Sequence, residues 1–152
     1  MNTWWCAIDT TWCTYRELRR RGVVAQGWPC FGDLRTLLRF VPTHPNSFKL
    51  AVQQIGDVAY GGQDHWDKQD RKLNRAPAVF WNLLNLRRGD LLVGIEGRTV
   101  CGVCQLPSDA RFSYEYDRRF HYAQTVGPVE WVDWSADRFR FAPTAPAQSV
   151  AK

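Results

Sequence analysis

The chain has 152 residues, of which 45% are hydrophobic and 23% charged, a composition that suits one globular domain with a hydrophobic core. No apolar stretch approaches the roughly 20 residues that a membrane span needs, and the N-terminus lacks the pattern of a signal peptide, so we expect a cytoplasmic protein without a membrane partner. The formal net charge of +5 and the pI near 9.1 favour a polyanionic partner.

The numbers of cysteines and tryptophans indicate the roles that these side chains play. Five cysteines, an odd number in apolar surroundings, argue for reduced thiols rather than a disulfide framework. Cys101 and Cys104 form a CxxC inside a predicted strand with no second pair, so we expect core packing and no metal site. Eight tryptophans are enough to build a core and still line a pocket for a flat ligand.

The first half of the chain predicts one strand followed by short helices. The aromatic run 4–8 predicts the first strand, and Thr14 with Glu17 forms a capping box before a helix at 15–21 that ends at Gly22. A Gly/Pro-punctuated loop at 26–34 holds two aromatic residues, and Asp33 can cap a helix at 34–40. A further helix is predicted at 47–58, and a polar surface loop at 60–75.

The second half predicts a hairpin after a last helix. Pro77 suits an early position of that helix, which runs to Leu86. Two apolar runs, 91–95 and 99–106, flank a glycine-containing turn, and Gly94 and Gly102 predict a bulge or a close backbone approach. Alternating patterns predict strands at 112–116 and 126–134, an edge strand is expected at 138–141, and the Ala/Pro-rich residues 142–152 are expected to form a disordered tail.

The sequence lacks the motifs of the common catalytic sites. It contains no GxSxG, P-loop, HExxH or GxGxxG pattern, and its three histidines share no spacing that suggests a metal. The acidic residues are dispersed and do not suggest a Mg²⁺ cluster. We therefore expect a binding protein without a cofactor rather than an enzyme.

Several segments occur in an order that is similar to a known family. They are residues 4–8, 24–34, 86–93, 103–106 and 114–116, and His121 with residues 129–131. With these segments the chain resembles the EVE-like members of the PUA superfamily, which act as modification sensors of McrB-type and Mrr-type restriction systems. In this sequence Gln124 stands where the family pattern often has an arginine after the histidine.

The resemblance implies a fold and a function. The expected fold is α+β, a small curved β-barrel with flanking helices over residues 1–141, followed by the tail at 142–152. The expected function is non-catalytic: the protein would recognise a modified DNA base, methylated or hydroxymethylated, by flipping it into an aromatic pocket. A role in defence against foreign DNA would follow, with a separate nuclease or ATPase as a possible partner.

Two groups of side chains are candidates for this function. A flipped base would be held by aromatic walls and by polar groups on its edge, and arginines would contact phosphates without reporting sequence. Trp81, Trp131 and Trp134 are assigned to the core. The candidate walls are Trp5, Trp28, Tyr114 and Tyr116; the candidate edge groups are Gln26, Asp33 and His121; the candidate phosphate ligands are Arg16, Arg19, Arg20, Arg87, Arg88, Arg118 and Arg119.

Two other functions remain open at this stage. An RNA-binding domain of the wider PUA/ASCH group would also be a barrel with a basic face. A small enzyme acting on a modified nucleoside, with a cysteine or His121 as catalyst, would belong to a different class.

Overall fold

The computed structural model describes residues 1–38, 44–61, 70–115, 117, 119–134 and 150–151. Its helices and strands alternate irregularly along the chain. In order, the elements are β1 (Thr3–Ile8), α1 (Tyr15–Arg21), β2 (Val24–Gln26), a 3-10 helix (Pro29–Phe31), α2 (Arg35–Leu38), α3 (Pro45–Tyr60), α4 (Asp70–Leu84), β3 (Leu91–Glu96), β4 (Thr99–Gln105), β5 (Arg111–Tyr114), β6 (Gln124–Gly127), β7 (Val132–Asp133) and β8 (Val150–Ala151).

The strands form two sheets, which confirms the α+β class. The larger sheet has the order β7-β4-β3-β1-β8, with β1 and β3 parallel, and the smaller has the order β2-β6-β5. Among the described strands none pairs with members of both sheets, so no closed barrel is present in this part of the chain. The chain passes from one sheet to the other at residues 128–131, where Pro128 has no N–H to continue a ladder.

The predicted hairpin is present as β3 and β4 and lies in the middle of the larger sheet. Gly97, with φ 60°, occupies its turn, and the register shifts between Gly94 and Ile95. A Cβ at Gly102 would overlap the ring of Tyr15, and one at Gly94 would lie 3.3 Å from the ring of Trp131. The two glycines therefore mark a bulge and a close approach of aromatic side chains to the strands.

Two hydrophobic clusters fill the interior. The first lies between the two sheets and α1 and includes Trp4, Tyr122 and Trp131. The second joins α3, α4 and the 3-10 helix around Phe48 and Phe80. Trp131 is buried, as predicted, whereas Trp81 and Trp134 are half-buried.

The first helix follows the sequence closely, except for one half of its capping box. The Thr14 hydroxyl accepts from the Glu17 amide at 3.2 Å, and Gly22 closes the helix at φ 63°. The Glu17 carboxylate, however, accepts hydrogen bonds from Arg20 and Arg21, which lower its pKa to about 2. Two charged donors compete more strongly for this carboxylate than one backbone amide.

Two of the later helices, α3 and α4, begin earlier than the sequence suggested. α3 begins at Pro45 and ends at Tyr60, and α2 covers Arg35–Leu38, with residues 39–40 outside the described part. α4 begins at Asp70, so Pro77 lies inside it, and residues 70–75 belong to a helix rather than to the predicted loop. The arginine, lysine and leucine of this stretch are good helix formers, and they favour extension of the helix ahead of the proline. No helix in the described ranges is long and apolar enough to cross a bilayer.

The C-terminal strands are shorter than predicted. The strand expected at 126–134 is divided into β6 and β7, and β5 ends at Tyr114, before Glu115. Val150–Ala151, within the predicted disordered tail, pair with β1 as β8. Residues 138–141 and the remainder of the tail lie outside the described residues.

Asp90 connects three parts of the larger sheet. Its carboxylate, 1% exposed, accepts hydrogen bonds from the Asn2 amide (2.9 Å), the Trp4 indole (2.9 Å) and the Arg87 amide (3.0 Å). Burial alone would raise the pKa of Asp90, but these three donors outweigh it, and the pKa lies below its usual value. The Asp90 side chain therefore holds together the start of β1, the segment that connects α4 to β3, and the start of β3.

We expect Asp90→Asn to lower the free energy of unfolding by about 2–4 kcal/mol, because an amide N–H would then face donors that need an acceptor. Urea denaturation would measure the change, with Asp109→Asn on an exposed loop as the matched control, expected within about 0.5 kcal/mol of the wild type. Equal stability of the two variants would contradict this role.

The same carboxylate predicts an acid-dependent loss of stability. Its pKa is lower in the folded protein than the ordinary value of 3.8. Its contribution is therefore present above that ordinary value and is lost as the pH falls through the lower folded-state pKa. The stability difference between wild type and Asp90→Asn should shrink on acidification, and a constant difference from neutral pH into this range would contradict the assignment.

Candidate functional site

Three polar side chains form a row across one face of the smaller sheet. Gln26 on β2 pairs with Gln124 on β6, which pairs with Tyr114 on β5. Directly paired residues on antiparallel strands place their side chains on the same face. We call Gln26, Gln124 and Tyr114 the polar row. Gln26 is 2% exposed and Gln124 0%, so two carboxamides are buried side by side where apolar residues would cost less.

Residues 27–34, here called the cap loop, lie over the polar row. The Tyr114 hydroxyl donates to the Pro29 carbonyl, and the Gln124 Nε2 donates to the Gly32 carbonyl, both at 2.7 Å. Trp28, at the start of this loop, has φ 55°, a left-handed conformation that is strained for a large side chain. The cap loop is therefore attached to the row by side-chain hydrogen bonds while it contains local strain.

One atom of the row has no partner. Within the described part of the chain, no donor reaches the Gln124 Oε1. The orientation of this amide is fixed, because the Gly32 carbonyl can only accept and must therefore face Nε2. An unsatisfied buried acceptor costs about 1–3 kcal/mol, so Gln124 is a candidate for contact with a ligand.

Trp28 lies at the border of the second hydrophobic cluster. Its ring is half-buried and meets Phe80 edge-on, with 5.8 Å between the ring centroids. Phe31, from the same cap loop, contacts Phe80 at 5.1 Å. The cap loop is thus attached to the second hydrophobic cluster, and one part of the Trp28 ring remains accessible.

An exposed aromatic pair lies beside the cap loop. Trp12, 55% exposed, contacts the ring of His121 with 4.8 Å between centroids, and we call these two residues the Trp12–His121 pair. A Cβ at Gly27 would lie 3.9 Å from the His121 carbonyl oxygen, which places the backbone of His121 next to the start of the cap loop. The sequence did not single out Trp12, although a tryptophan in a Thr-rich turn directly after a strand was a usable signal.

Tyr122 fixes the turn that presents Trp12. Its buried hydroxyl accepts a hydrogen bond from the Asp9 amide at 3.0 Å. The Asp9 carbonyl in turn accepts from the Trp12 amide at 3.0 Å, and its carboxylate accepts from the Thr11 amide. The indole is therefore held on an ordered turn despite its exposure to solvent.

Two expected site residues lie elsewhere. Trp5 alternates with Trp4 and Cys6 on β1, so it points away from the core that β1 shares with the smaller sheet. The Asp33 carboxylate binds the amide and the guanidinium of Arg35, with 2.6 Å to Nη2, and this pair caps α2 instead of facing a ligand. Tyr116 and Arg118 lie outside the described residues.

The arginines of α1 are mostly paired. Arg19 binds Asp133 at 2.7 Å, and Arg20 binds Glu17 at 2.7 Å. Arg21 binds Glu17 and lies over the Phe120 ring at 3.9 Å from its centroid. Among the described residues Arg16 makes no ion pair, so it is the member of this group that offers the least encumbered charge for a phosphate.

The remaining arginines lie near opposite ends of the parallel strands β1 and β3. Arg87 and Arg88 are exposed just before β3, whereas the turn of Trp12 follows the end of β1. Because β1 and β3 are parallel and in register from Thr3 to Ile8, the two positions are separated by a strand length of about 17–20 Å. Arg119, exposed and two residues before His121, is close to the aromatic pair along the chain.

The buried thiols have little nucleophilic character. Burial raises the pKa of Cys104 to about 12, and burial together with the nearby Glu17 raises that of Cys13 to about 12. Burial also raises the pKa of Cys6. Such thiols are protonated at neutral pH, and the thiolate is the reactive form. Within the ranges described, no group of three His, Cys, Asp or Glu side chains could hold a metal ion.

We expect Tyr114→Phe to loosen the cap loop, because it removes the hydroxyl that donates to the Pro29 carbonyl. The free energy of unfolding should fall by about 1 kcal/mol, and amide exchange in residues 27–34 should accelerate. Ser113→Ala, the exposed neighbour on β5, is the control and should change neither quantity. Unchanged exchange in Tyr114→Phe would show that this hydrogen bond does not hold the loop.

Comparison with known proteins adds no relative. No protein-family model matches the chain, and no curated protein or solved structure is detectably similar to it. The function is therefore inferred from the geometry of the polar row, the cap loop and the Trp12–His121 pair.

Proposed function

We propose that this chain is a non-catalytic nucleic-acid-binding domain that recognises a modified DNA base, methylated or hydroxymethylated, in a flipped-out conformation. The observation that carries the proposal is the pair of buried carboxamides, Gln26 and Gln124, beneath a strained loop whose first residue, Gly27, lies next to the backbone of His121. Buried amides specify hydrogen-bond partners, and an exposed indole supplies a flat apolar face. A nucleobase needs both kinds of contact.

Hydrogen bonding to a base edge is the role of the polar row. A glutamine carboxamide carries a donor and an acceptor side by side, an arrangement that matches the edge of a base. In a buried site such contacts discriminate strongly, because a mismatched ligand leaves polar groups without partners.

Stacking is the role of the Trp12–His121 pair. A base stacked on an aromatic ring gains about 1–3 kcal/mol, which is comparable with the few kcal/mol that flipping costs. Near this balance a single buried methyl group, worth about 0.8 kcal/mol, shifts the equilibrium measurably. The half-buried Trp28, in the cap loop that is bonded to the polar row, supplies apolar surface for such a group.

Access to the polar row requires the cap loop to move. Two side-chain hydrogen bonds, from Tyr114 and Gln124, hold it to the row. A bound base would replace these two bonds, at about 1 kcal/mol each, while Trp28 and Phe31 stay packed on Phe80. The strain at Trp28 opposes the closed conformation.

Positive charge near the aromatic pair supports a nucleic-acid strand as the partner. Arg16 lies four residues after Trp12, and Arg119 two residues before His121. Arg87 and Arg88 at the other edge of the larger sheet would contact phosphates only on a strand long enough to span that sheet. Such contacts add affinity without sequence information and make binding depend on salt.

A PUA-type barrel is the structural premise of the proposal. Both sheets cover one hydrophobic cluster, and residues 128–131 connect β6 of one sheet to β7 of the other. The bulge between Gly94 and Ile95 adds curvature to the middle of the larger sheet. These features support a curved, barrel-like arrangement.

A binding panel tests the proposal. Methylated, hydroxymethylated and unmodified cytosine and adenine would be compared in single-stranded DNA, duplex DNA and RNA at two salt concentrations. We expect binding that weakens with salt and strengthens with modification. Equal affinity for modified and plain DNA would contradict modification sensing, a preference for structured RNA would favour the RNA-binding alternative, and turnover of a modified nucleoside would favour an enzyme.

A variant pair tests the aromatic surface. Trp12→Ala should weaken binding of the preferred oligonucleotide by roughly 5- to 150-fold, the equivalent of one lost stacking contact. Leu50→Ala, which removes an exposed apolar side chain on α3, is the matched control and should bind like the wild type. Wild-type affinity in Trp12→Ala would exclude the Trp12–His121 pair as the stacking surface.

A further inference from the structure

Residues 119–122, here called the presenting segment, connect the Trp12–His121 pair to the interior. Burial alternates along this segment: Phe120 and Tyr122 are buried, and His121 between them is exposed. The ring of His121 contacts Trp12 directly, and the Tyr122 hydroxyl binds the turn that carries Trp12. Both members of the pair therefore depend on the position of the presenting segment.

Asp117 and Arg21 hold the start of the presenting segment. The Asp117 carboxylate accepts a hydrogen bond from the Arg119 amide at 2.8 Å, and the Asp117 carbonyl accepts one from the Phe120 amide at 3.0 Å. The Arg21 guanidinium donates to the other carboxylate oxygen of Asp117 at 3.3 Å. The same guanidinium lies over the Phe120 ring, 3.9 Å from its centroid. One side chain of α1 therefore contacts both the polar and the apolar side of this turn.

Glu17 orients that guanidinium. The Arg21 Nε donates to the Glu17 carboxylate at 2.6 Å, while its Nη2 donates to Asp117. A planar group that is bound at two nitrogens and stacked on an aromatic face is held in one orientation, which the single ammonium of lysine does not reproduce. α1 begins three residues after Trp12 and carries Arg21 in its last turn. The same helix is therefore joined to the Trp12 turn at its start and to the presenting segment at its end.

We propose that Arg21 is a positioning residue for the Trp12–His121 pair, because it binds the presenting segment to α1 and thereby keeps His121 against Trp12. The inference rests on the proposed function and deepens it, since it names the side chain that holds the stacking surface in place for a base. Arg21 acts through its contacts with the presenting segment and does not itself touch the base.

The proton resonances of the His121 ring report the geometry of the pair without any ligand. The imidazole lies 4.8 Å from the indole, within reach of its ring current, and Trp12→Ala defines the resonance positions when that contact is lost. We expect Arg21→Ala to move the His121 resonances most of the way towards those positions. The resonances are read from folded protein, so a loss of stability alone does not move them.

Arg20→Ala is the matched control. Arg20 is the adjacent residue, has the same charge and binds the same Glu17 carboxylate. In the described part of the chain it contacts neither Asp117 nor Phe120, so its removal should leave the His121 resonances unchanged. Arg21→Lys, which keeps the charge, should shift them in the same direction as Arg21→Ala but less, and it decides the question if Arg21→Ala does not fold.

Binding of the oligonucleotide that the wild type prefers connects this geometry to function. Arg20→Ala and Arg21→Ala each remove one positive charge, so the long-range attraction to phosphates falls similarly in both. We expect Arg21→Ala to bind at least about 5-fold more weakly than Arg20→Ala, the lower end of the loss expected for one stacking contact. Fluorescence anisotropy would measure both affinities.

The outcomes separate this inference from the proposed function. Unchanged His121 resonances in folded Arg21→Ala, or equal shifts in Arg20→Ala, would overturn the positioning role whatever the protein binds. Shifted resonances with equal affinities of the two variants would overturn its importance for binding while nucleic-acid binding stands. Absence of binding to every oligonucleotide would overturn the proposed function, and the His121 resonances would still decide whether Arg21 positions the pair.

Discussion

The larger sheet depends on the buried carboxylate of Asp90. Three donors from separate parts of the chain converge on it, and the Trp4 indole among them is buried and would otherwise need another partner. Parallel pairing of β1 with β3 joins segments more than 80 residues apart, a contact that is entropically costly to form. A charged acceptor at the shared start of both strands fixes their register from one end. The β3–β4 hairpin is joined to β1 in that register.

The smaller sheet contains a buried polar group of the opposite kind, one whose oxygen accepts no hydrogen bond. Gln124 is fully buried and its Nε2 is bound, yet its Oε1 has no donor among the described residues. A leucine or valine there would pack the same face at lower cost. The unfavourable left-handed backbone of Trp28 lies in the cap loop, which is bonded to Gln124. Two unfavourable features therefore occur close together in the structure. Such a concentration is typical of binding sites, where rigidity and unmet bonding capacity are kept for a ligand.

The proposed site combines elements that come from distant parts of the sequence. Trp12 is held by Tyr122 through Asp9, and Gly27 lies next to His121, so the turn after β1, the cap loop and the segment before β6 meet in one place. The arginines expected to contact phosphates are less available than their number suggests, because Arg19 and Arg20 are already paired with carboxylates. Net charge alone therefore overstates the number of arginines that are available to a phosphate. Arg16 and Arg119 are the stronger candidates for contact with a nucleic-acid strand near the Trp12–His121 pair.

The sequence by itself determined the local features: the α1 boundaries with Thr14 and Gly22, the β3–β4 hairpin, the bulge glycines and the α+β class. These depend on residues close together in the chain, where capping, turn chemistry and alternation act directly. It did not determine the separation into two sheets, the start of α4 ahead of Pro77 or the position of Trp5, because strand pairing and burial are decided by distant partners. The site shows the same division. Gln26, Trp28 and His121 are candidates from the sequence that stay predictions. The pairing of Gln26 with Gln124, the ion pair of Asp33 with Arg35 and the exposure of Trp12 arise only when the folded chain brings these segments together.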